Sequence, residues 1–306
     1  MTVSAWVWAA TLAGVGVMLL VDLAIVARRP HEPSIRESSI WVSVYIALAL
    51  LFGLFVLLKW GQDPAGAFYG GWLTEYSLSA DNLIVFVIIM GRFRVPREQQ
   101  QRVLMVGIVL ALVLRGVFIA AGAAAISRFS WVFYIFSLFL VYTAVRMVTD
   151  GEPDGEGFKE NPLVRWSRRV LSPTVVVLVA IGTTDLIFAL DSIPAVFGLT
   201  SEPYLVLTAN VFALMGLRQL YFLIGGLLDR LVYLSLGLAV VLGFIGVKLF
   251  LEALADNSLP FVNGGDPVHW APHIGIPLSL GVIIATLAVT TVASLIKSKR
   301  DARAGR

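Results

Sequence analysis

The chain has 306 residues, of which 58% are hydrophobic and only 14% are charged, and its formal net charge is +3 at pH 7. This composition is typical of an integral membrane protein and excludes an ordinary soluble globular domain. The chain contains no cysteine, which excludes disulfides, thiolate metal sites and thiol catalysis.

Nine apolar runs follow one another along the chain. Each has about 20 residues, enough to cross a hydrocarbon core about 30 Å thick. The runs cover about 6–27, 40–59, 69–90, 103–125, 130–149, 174–198, 204–228, 231–254 and 274–296. The sequence therefore predicts an all-α polytopic membrane protein with about nine transmembrane helices.

Lysine and arginine are distributed unequally among the segments between these runs. The loops and tail that alternate along the chain from residue 28 hold 17 of the 23 basic residues, whereas the opposite loops hold only Arg128, with Lys59 at a helix end. Since cytoplasmic loops carry the excess of basic residues, we expect the N-terminus outside and the C-terminus in the cytoplasm. We expect the protein to lie in the lipid bilayer of the inner or plasma membrane. Because most basic residues set topology, they do not indicate a nucleic-acid partner.

The runs and loops divide the chain into six segments. Two three-helix units are separated by a polar linker rich in glycine and proline, and peripheral helices flank them. The segments are an N-terminal helix and cytoplasmic loop (1–39), a peripheral helix and outer loop (40–68), a first repeat (69–149), a cytoplasmic linker (150–173), a second repeat (174–254), and an outer loop, last helix and basic tail (255–306).

An acidic motif occurs twice inside the apolar runs. Each copy has a threonine followed by an acid and, six residues after that acid, a second acid followed by an amide or hydroxyl side chain. The copies are Thr74, Glu75, Asp81 and Asn82 in the third run, and Thr184, Asp185, Asp191 and Ser192 in the sixth. Placing a carboxylate at the centre of a membrane helix costs about 2.5–3.5 kcal/mol on the insertion scale. Four such costs at matched positions indicate a cation site.

The two copies lie in helices of opposite predicted direction. The third run crosses the membrane inward and the sixth outward, and the correspondence continues from Arg115 to Arg218 and from Arg146 to Lys248. Inverted repeats around a polar site near the bilayer midplane are a recurring plan of secondary transporters. The sequence thus predicts two inverted three-helix repeats.

The spacing within each motif raises a geometric question. On a regular helix, positions six residues apart point about 120° away from each other. Either the helices unwind near Ser77, Ser79 or Pro194, or each acid faces a different neighbour and a joint site takes one acid from each repeat. Both alternatives are open at this point.

The side chains of the motifs form a hard, oxygen-rich set. Such a set favours Mn²⁺, Ca²⁺ or Mg²⁺ over Cu⁺ or Zn²⁺, and Asn210 and Gln219 in the seventh run are further candidate oxygen ligands. We expect the metal as a transported ion, with no tightly bound cofactor. The intramembrane bases Arg115, Arg146, Arg218 and Lys248 are predicted to balance or couple to the acids, or to extend toward the interface near span ends.

Two further patterns receive structural interpretations. Asp22 and Glu252 lie near helix ends and are expected to have no functional role. Glycines within spans, such as Gly116, Gly122 and the Gly225-Gly226 pair, indicate close helix packing.

The motifs resemble those of the TerC family of integral membrane proteins. Members carry a Glu-x-x-x-x-x-Asp-Asn segment, which Glu75, Asp81 and Asn82 match, and a second, more specific segment. The second match consists of Thr184, Asp185, Ala189, Asp191, Ser192, Ile193 and Pro194. The resemblance implies kinship with the cation and amino-acid exporters of the LysE superfamily, which are built from three-helix repeats, and export of a divalent cation, foremost Mn²⁺.

The predicted function is therefore Mn²⁺ efflux driven by protons or by the membrane potential. An alternative is a non-transporting scaffold in tellurite or metal stress resistance that recruits cytoplasmic stress proteins through 150–173. A third hypothesis, an intramembrane enzyme that uses the acids as general acids and bases, has no recognisable substrate motif in its favour. We therefore expect the protein not to be an enzyme.

Overall fold

The structure is a computed structural model that describes residues 2–28, 33–129, 131–150, 164, 167, 173–224, 233–255, 257, 259 and 262–304. Within these ranges the chain is all-helical, as predicted, with one short 3₁₀ turn at Asn263–Gly265. The helices are α1 (Ala5–Arg28), α2 (Ile35–Trp60), α3 (Gln62–Arg92), α4 (Arg97–Arg128), α5 (Val132–Asp150), α6 (Pro173–Phe197), α7 (Pro203–Met215), α8 (Leu217–Ile224), α9 (Leu234–Ala255) and α10 (Ile276–Ala304).

Nine stretches of the described helices are long and apolar enough to cross a membrane. Eight of them lie in one helix each, and the seventh, Pro203–Leu223, joins α7 to α8 across Gly216. The predicted number of transmembrane helices is confirmed for this part of the chain. The predicted linker at 150–173 lies almost wholly outside the described residues.

The connection between α2 and α3 differs from the prediction. An outer loop was expected up to residue 68, but α3 already begins at Gln62, so Gly61 alone separates the two helices. Gly61 has a φ of +94°, in the left-handed region that favours glycine. Its N–H donates to the carbonyl of Leu57 at 3.0 Å. The turn is tight because one glycine ends α2 and starts α3.

The third, fourth, sixth, seventh and eighth spans form the core of the bundle, each at least 44% buried. The α5–α9 pair is the most extensive helix contact, and α3 packs against both α6 and α7, while α4 packs against α6 and α7. The spans of α1, α2 and α10 are only 11%, 22% and 17% buried, against 83% for the seventh span. The helices that carry the two acidic motifs therefore lie inside a layer of more lipid-exposed helices.

Of the glycines expected to pack closely, Gly225 and Gly226 lie outside the described residues, and the other two differ from each other. A methyl group at Gly122 would lie 3.0 Å from Cε2 of Phe197, so the packing interpretation is confirmed there. At Gly116 no heavy atom lies within 4 Å of the position of a methyl group, and the interpretation is wrong.

Candidate cation site

Both motifs lie in unbroken helices. The first is part of the 31-residue helix α3, and α6 continues through Pro194 to Phe197. The structure therefore does not realise the unwinding alternative in these segments. Instead, the acids of α6 face different neighbours, as the 120° offset between positions i and i+6 requires.

Arg115 of α4 brings the first acids of the two motifs together. Its Nε and Nη2 donate to the two carboxylate oxygens of Asp185 at 3.3 and 3.1 Å, and its Nη1 donates to Oε1 of Glu75. Arg115 is only 1% exposed, and Glu75 is fully buried. The planar guanidinium suits this task because its N–H groups form a fixed fork. One acid from each predicted repeat thus shares a single base, and we call these three side chains the Arg115 cluster.

Neutral oxygens complete the surroundings of the Arg115 cluster. The Nη1 of Arg115 also donates to Oγ of Ser192 at 3.1 Å and to Oδ1 of Asn210 at 2.9 Å. Ser79 donates through Oγ to Oε1 of Glu75 at 3.2 Å. All three neutral side chains are buried. Ser192 and Asn210 were predicted as oxygen ligands, whereas Ser79 was considered only as a position of unwinding.

Two buried oxygens of the first motif receive no hydrogen bond from the described residues. They are Oε2 of Glu75 and Oγ1 of Thr74, and both residues are fully buried. Two carboxylates and one guanidinium leave one negative charge in excess when all are ionised. A buried anionic oxygen without a donor is energetically costly, so the arrangement is suited to accept a further positive charge.

The second acid of the second motif is placed apart from this cluster. Asp191 is half-buried, and its Oδ1 accepts a hydrogen bond from Oγ1 of Thr143 in α5 at 3.0 Å. The side chain of Asp81 lies outside the described residues. Asn82 and Thr184 are half-buried, and neither is among the hydrogen-bond partners that the structure gives for Arg115 or Glu75.

Arg218 and Lys248 bind acids that lie outside the motifs, whereas Arg146 interacts electrostatically with Asp191 of the second motif. Arg218 forms a buried ion pair with Asp22 of α1. Asp22 therefore has a structural part in the bundle, because its buried carboxylate binds a base from another helix. Lys248 forms an ion pair with Glu252 at 2.8 Å and donates to the carbonyl of Gly198 at 2.6 Å. Arg146 is exposed near the end of α5.

The additional residues around the site differ in how far their positions in the sequence mark them. Asp22 is an acid within an apolar run, which indicates that it needs a partner. Ser79 lies four residues after Glu75 and therefore on the same face of a helix. Nothing in the sequence marked Thr143. Within the described residues, no three Asp, Glu, His or Cys side chains are grouped closely enough to hold a metal ion. In this arrangement Arg115 is the positive charge between the two carboxylates.

Comparison with known proteins identifies relatives that are all described as membrane proteins. An uncharacterised membrane protein of Mycobacterium bovis is 43% identical over 318 aligned positions, which cover 96% of this chain and 80% of the relative. The Alx protein of Escherichia coli K12, for which a role as a membrane-bound redox modulator has been suggested, is 36% identical over 93% of this chain and 92% of its own. A membrane protein of Myxococcus xanthus is also 36% identical, over 95% and 92%. No solved structure matches.

The family profile covers most of the described helices. The profile of the integral membrane protein TerC family matches residues 60–302, which include both acidic motifs and Arg115. The resemblance seen in the motifs is thereby confirmed, and the chain belongs to the TerC family of integral membrane proteins.

Proposed function

We propose that the protein exports divalent cations, foremost Mn²⁺, through the acidic site between α3, α4 and α6, in exchange for protons. The observation that carries the proposal is the Arg115 cluster, with two buried carboxylates against one guanidinium and a Glu75 oxygen without a donor. Ionisable side chains inside transmembrane segments mark ion pathways and proton relays because their burial is costly.

The donor set supports a hard divalent cation as substrate. Carboxylate oxygens of Glu75 and Asp185 lie together with the neutral oxygens of Ser192 and Asn210. Oxygen ligands of this kind suit Mn²⁺, Mg²⁺ and Ca²⁺, and the hydroxyl and amide groups supply neutral ligands. Asp81 and Asp191, with Asn82 and Thr184, remain predicted ligands at further points of the path.

Arg115 provides a step that couples cation export to proton entry. Because its guanidinium already binds both carboxylates, an entering cation must replace it, and the departing cation lets it return. A proton on Glu75 would satisfy the free oxygen and weaken the attraction for metal, since metal ligands must be deprotonated. Protons and metal therefore compete for the same oxygens. In this proposal the acids bind ions and catalyse no covalent reaction.

Membership of the TerC family supports a function in the membrane but does not identify the substrate. The Alx relative is associated with redox modulation by name, while the 306 residues of this chain contain no cysteine for thiol exchange. We place the protein in the inner or plasma membrane with its C-terminus in the cytoplasm, in line with the distribution of basic residues.

Cellular manganese content tests the proposal. Wild type, Asp185→Asn and Asp191→Asn are expressed in a manganese-sensitive host, with Asp266→Asn as a matched control because Asp266 is exposed in the α9–α10 loop. Wild type and Asp266→Asn are expected to lower cellular Mn and restore growth. Asp185→Asn and Asp191→Asn are expected to lose both effects at equal membrane levels, because each removes a charge that attracts the cation.

The opposite result separates the rival functions. If the two motif variants lower cellular Mn as wild type does, the acids are not an export site. Deletion of residues 154–163 in the linker is expected to leave export intact. A deletion variant that loses stress resistance, together with motif variants that keep it, would favour the scaffold.

A further inference from the structure

A cavity opens at the end of the bundle opposite the predicted cytoplasmic face. Its volume is about 890 Å³. It lies among the first turn of α3, the end of α4, the start of α5, the ends of α6 and α9 and the start of α10. We call it the vestibule. The basic-residue distribution places this end of the bundle outside the cell.

The walls of the vestibule carry polar and charged groups. They include Asp63, Ser127, Ser201, Glu252 and His273. The described residues place no three acidic or histidine side chains close enough to hold a metal ion. A divalent cation that enters this space is therefore expected to keep its water shell.

Lys248 and Phe197 lie at the inner side of the vestibule. Lys248 is 3% exposed, and its ammonium is held by Glu252 and by the carbonyl of Gly198, the residue that follows Phe197. The Phe197 ring is 2% exposed and packs against Phe136, with 6.4 Å between ring centroids. The end of α6 is thus fixed by a buried lysine where it meets the cavity.

The positions along the axes of α4 and α6 place Phe197 at a level between the vestibule and the Arg115 cluster. Gly122, which contacts the ring, lies seven residues or two turns after Arg115, which is about 10 Å along α4 on the same face. Phe197 lies five residues after Ser192, about 7.5 Å along α6. Because Gly122 has no side chain, the ring can lie directly against α4 and fill the space above the cluster.

We propose that the vestibule is the outer chamber of the ion path, which takes a hydrated divalent cation, and that Phe197 is the plug that separates it from the Arg115 cluster. The identity of the ion rests on the proposed function, whereas the chamber and the plug rest on packing. In the described arrangement the Phe197 ring closes the cluster to the outside together with the apolar side chains packed around it, such as Phe136.

Labelling of single cysteines tests the plug directly, because the chain contains none of its own. A membrane-impermeant thiol reagent is added outside intact cells that express Ser201→Cys, in the vestibule wall, or Ser192→Cys, below Phe197. Ser201→Cys is expected to be labelled and Ser192→Cys to remain unlabelled. The double variant Ser192→Cys/Phe197→Ala is expected to become labelled. Ser298→Cys, at the predicted cytoplasmic end of α10, is the matched negative control.

Each contrary result has a defined meaning. Labelling of Ser192→Cys with Phe197 in place would overturn the plug, and absence of labelling at Ser201→Cys would overturn the vestibule. Labelling of Ser201→Cys/Phe197→Ala shows that the protein with Phe197→Ala still folds. If this variant does not fold, Phe197→Leu replaces it as a smaller reduction of the side chain. Mn²⁺ in the outer medium is expected to slow labelling of Ser192→Cys/Phe197→Ala. Access without this protection would overturn the cation as ligand while leaving the plug supported.

Discussion

Arg115 owes its role to the geometry of its side chain. A guanidinium presents five N–H donors in a plane, so one residue can bind two carboxylates and still reach neutral oxygens. A lysine would offer a compact point charge and no fork. The buried position of Arg115 and its bonds to Glu75 and Asp185 make the net charge of the cluster depend on each of the three residues.

This dependence predicts an order of stabilities. Arg115→Gln leaves two buried carboxylates without their base and is expected to cost about 3–5 kcal/mol of unfolding free energy, the usual loss when one partner of a buried pair is removed. Asp185→Asn leaves the Arg115–Glu75 pair with balanced charge and is expected to cost less. Thermal unfolding in detergent, followed by tryptophan fluorescence, measures the order.

The double variant is the control for charge. Arg115→Gln/Asp185→Asn removes one of the two carboxylates left without a base and is expected to be more stable than Arg115→Gln alone. If Asp185→Asn is the more damaging single change, charge balance is not what stabilises the cluster.

The sequence predicted part of this site for a physical reason. A base within an apolar span needs an acid nearby, so the charge-balancing prediction for Arg115 followed from burial alone. Which acid it binds did not follow, because Glu75 and Asp185 are 40 and 70 residues away along the chain. The partner of Asp22 is 196 residues away. Such pairings depend on how whole helices pack.

At the scale of the helix, periodicity decided how the second motif is used. The i to i+6 offset predicts divergent side chains on a regular helix, and α6 is regular, with Asp185 directed to α4 and Asp191 to α5. The sequence was equally compatible with a helix that unwinds within the motif, because serine and proline permit a break in a helix without requiring one. Packing on both sides of α6 selected the helix.

Small residues set the distance between α5 and α9. A methyl group at Gly246 would lie 2.9 Å from Cγ2 and 3.1 Å from the backbone nitrogen of Val141, whereas at Gly243 it would meet Ala144 Cβ at 3.6 Å, an ordinary contact. Gly246→Ala is therefore expected to force the helices apart and cost about 1–3 kcal/mol. Gly243→Ala is the matched control.

The control is expected to be neutral or stabilising, because alanine exceeds glycine in helix propensity by about 1 kcal/mol. Thermal unfolding of the two variants gives the comparison. Equal melting temperatures for both would mean that the α5–α9 distance is adjustable at this point.

At the scale of the whole molecule, helices of each predicted repeat pack against helices of the other repeat. The first helix of each unit packs against the second of the other, as α3 with α7 and α6 with α4, while the third helices α5 and α9 pack together. This is the pattern expected of two related units, and the inverted repeat itself stays a prediction. The number of spans followed from hydropathy, whereas these contacts are properties of the assembled bundle.

The orientation of the bundle is a prediction of the basic-residue distribution and is open to a direct test. Alkaline phosphatase fused after Arg306 is expected to be inactive, because the enzyme matures only outside the cytoplasm. The same enzyme fused at Gly265, in the loop between α9 and α10, is expected to be active. Activity in the reverse pattern would invert the topology and, with it, the side to which the vestibule opens.

The single-glycine connection at residue 61 links the site to the lipid around it. A transmembrane helix whose apolar length does not match the bilayer responds by tilting, and α2 is one of the less buried helices. With only Gly61 between α2 and α3 there is no slack, so a tilt of α2 is passed to α3 and to Glu75, about 20 Å further along that helix. Bilayer thickness thereby acts on a buried carboxylate through one backbone position.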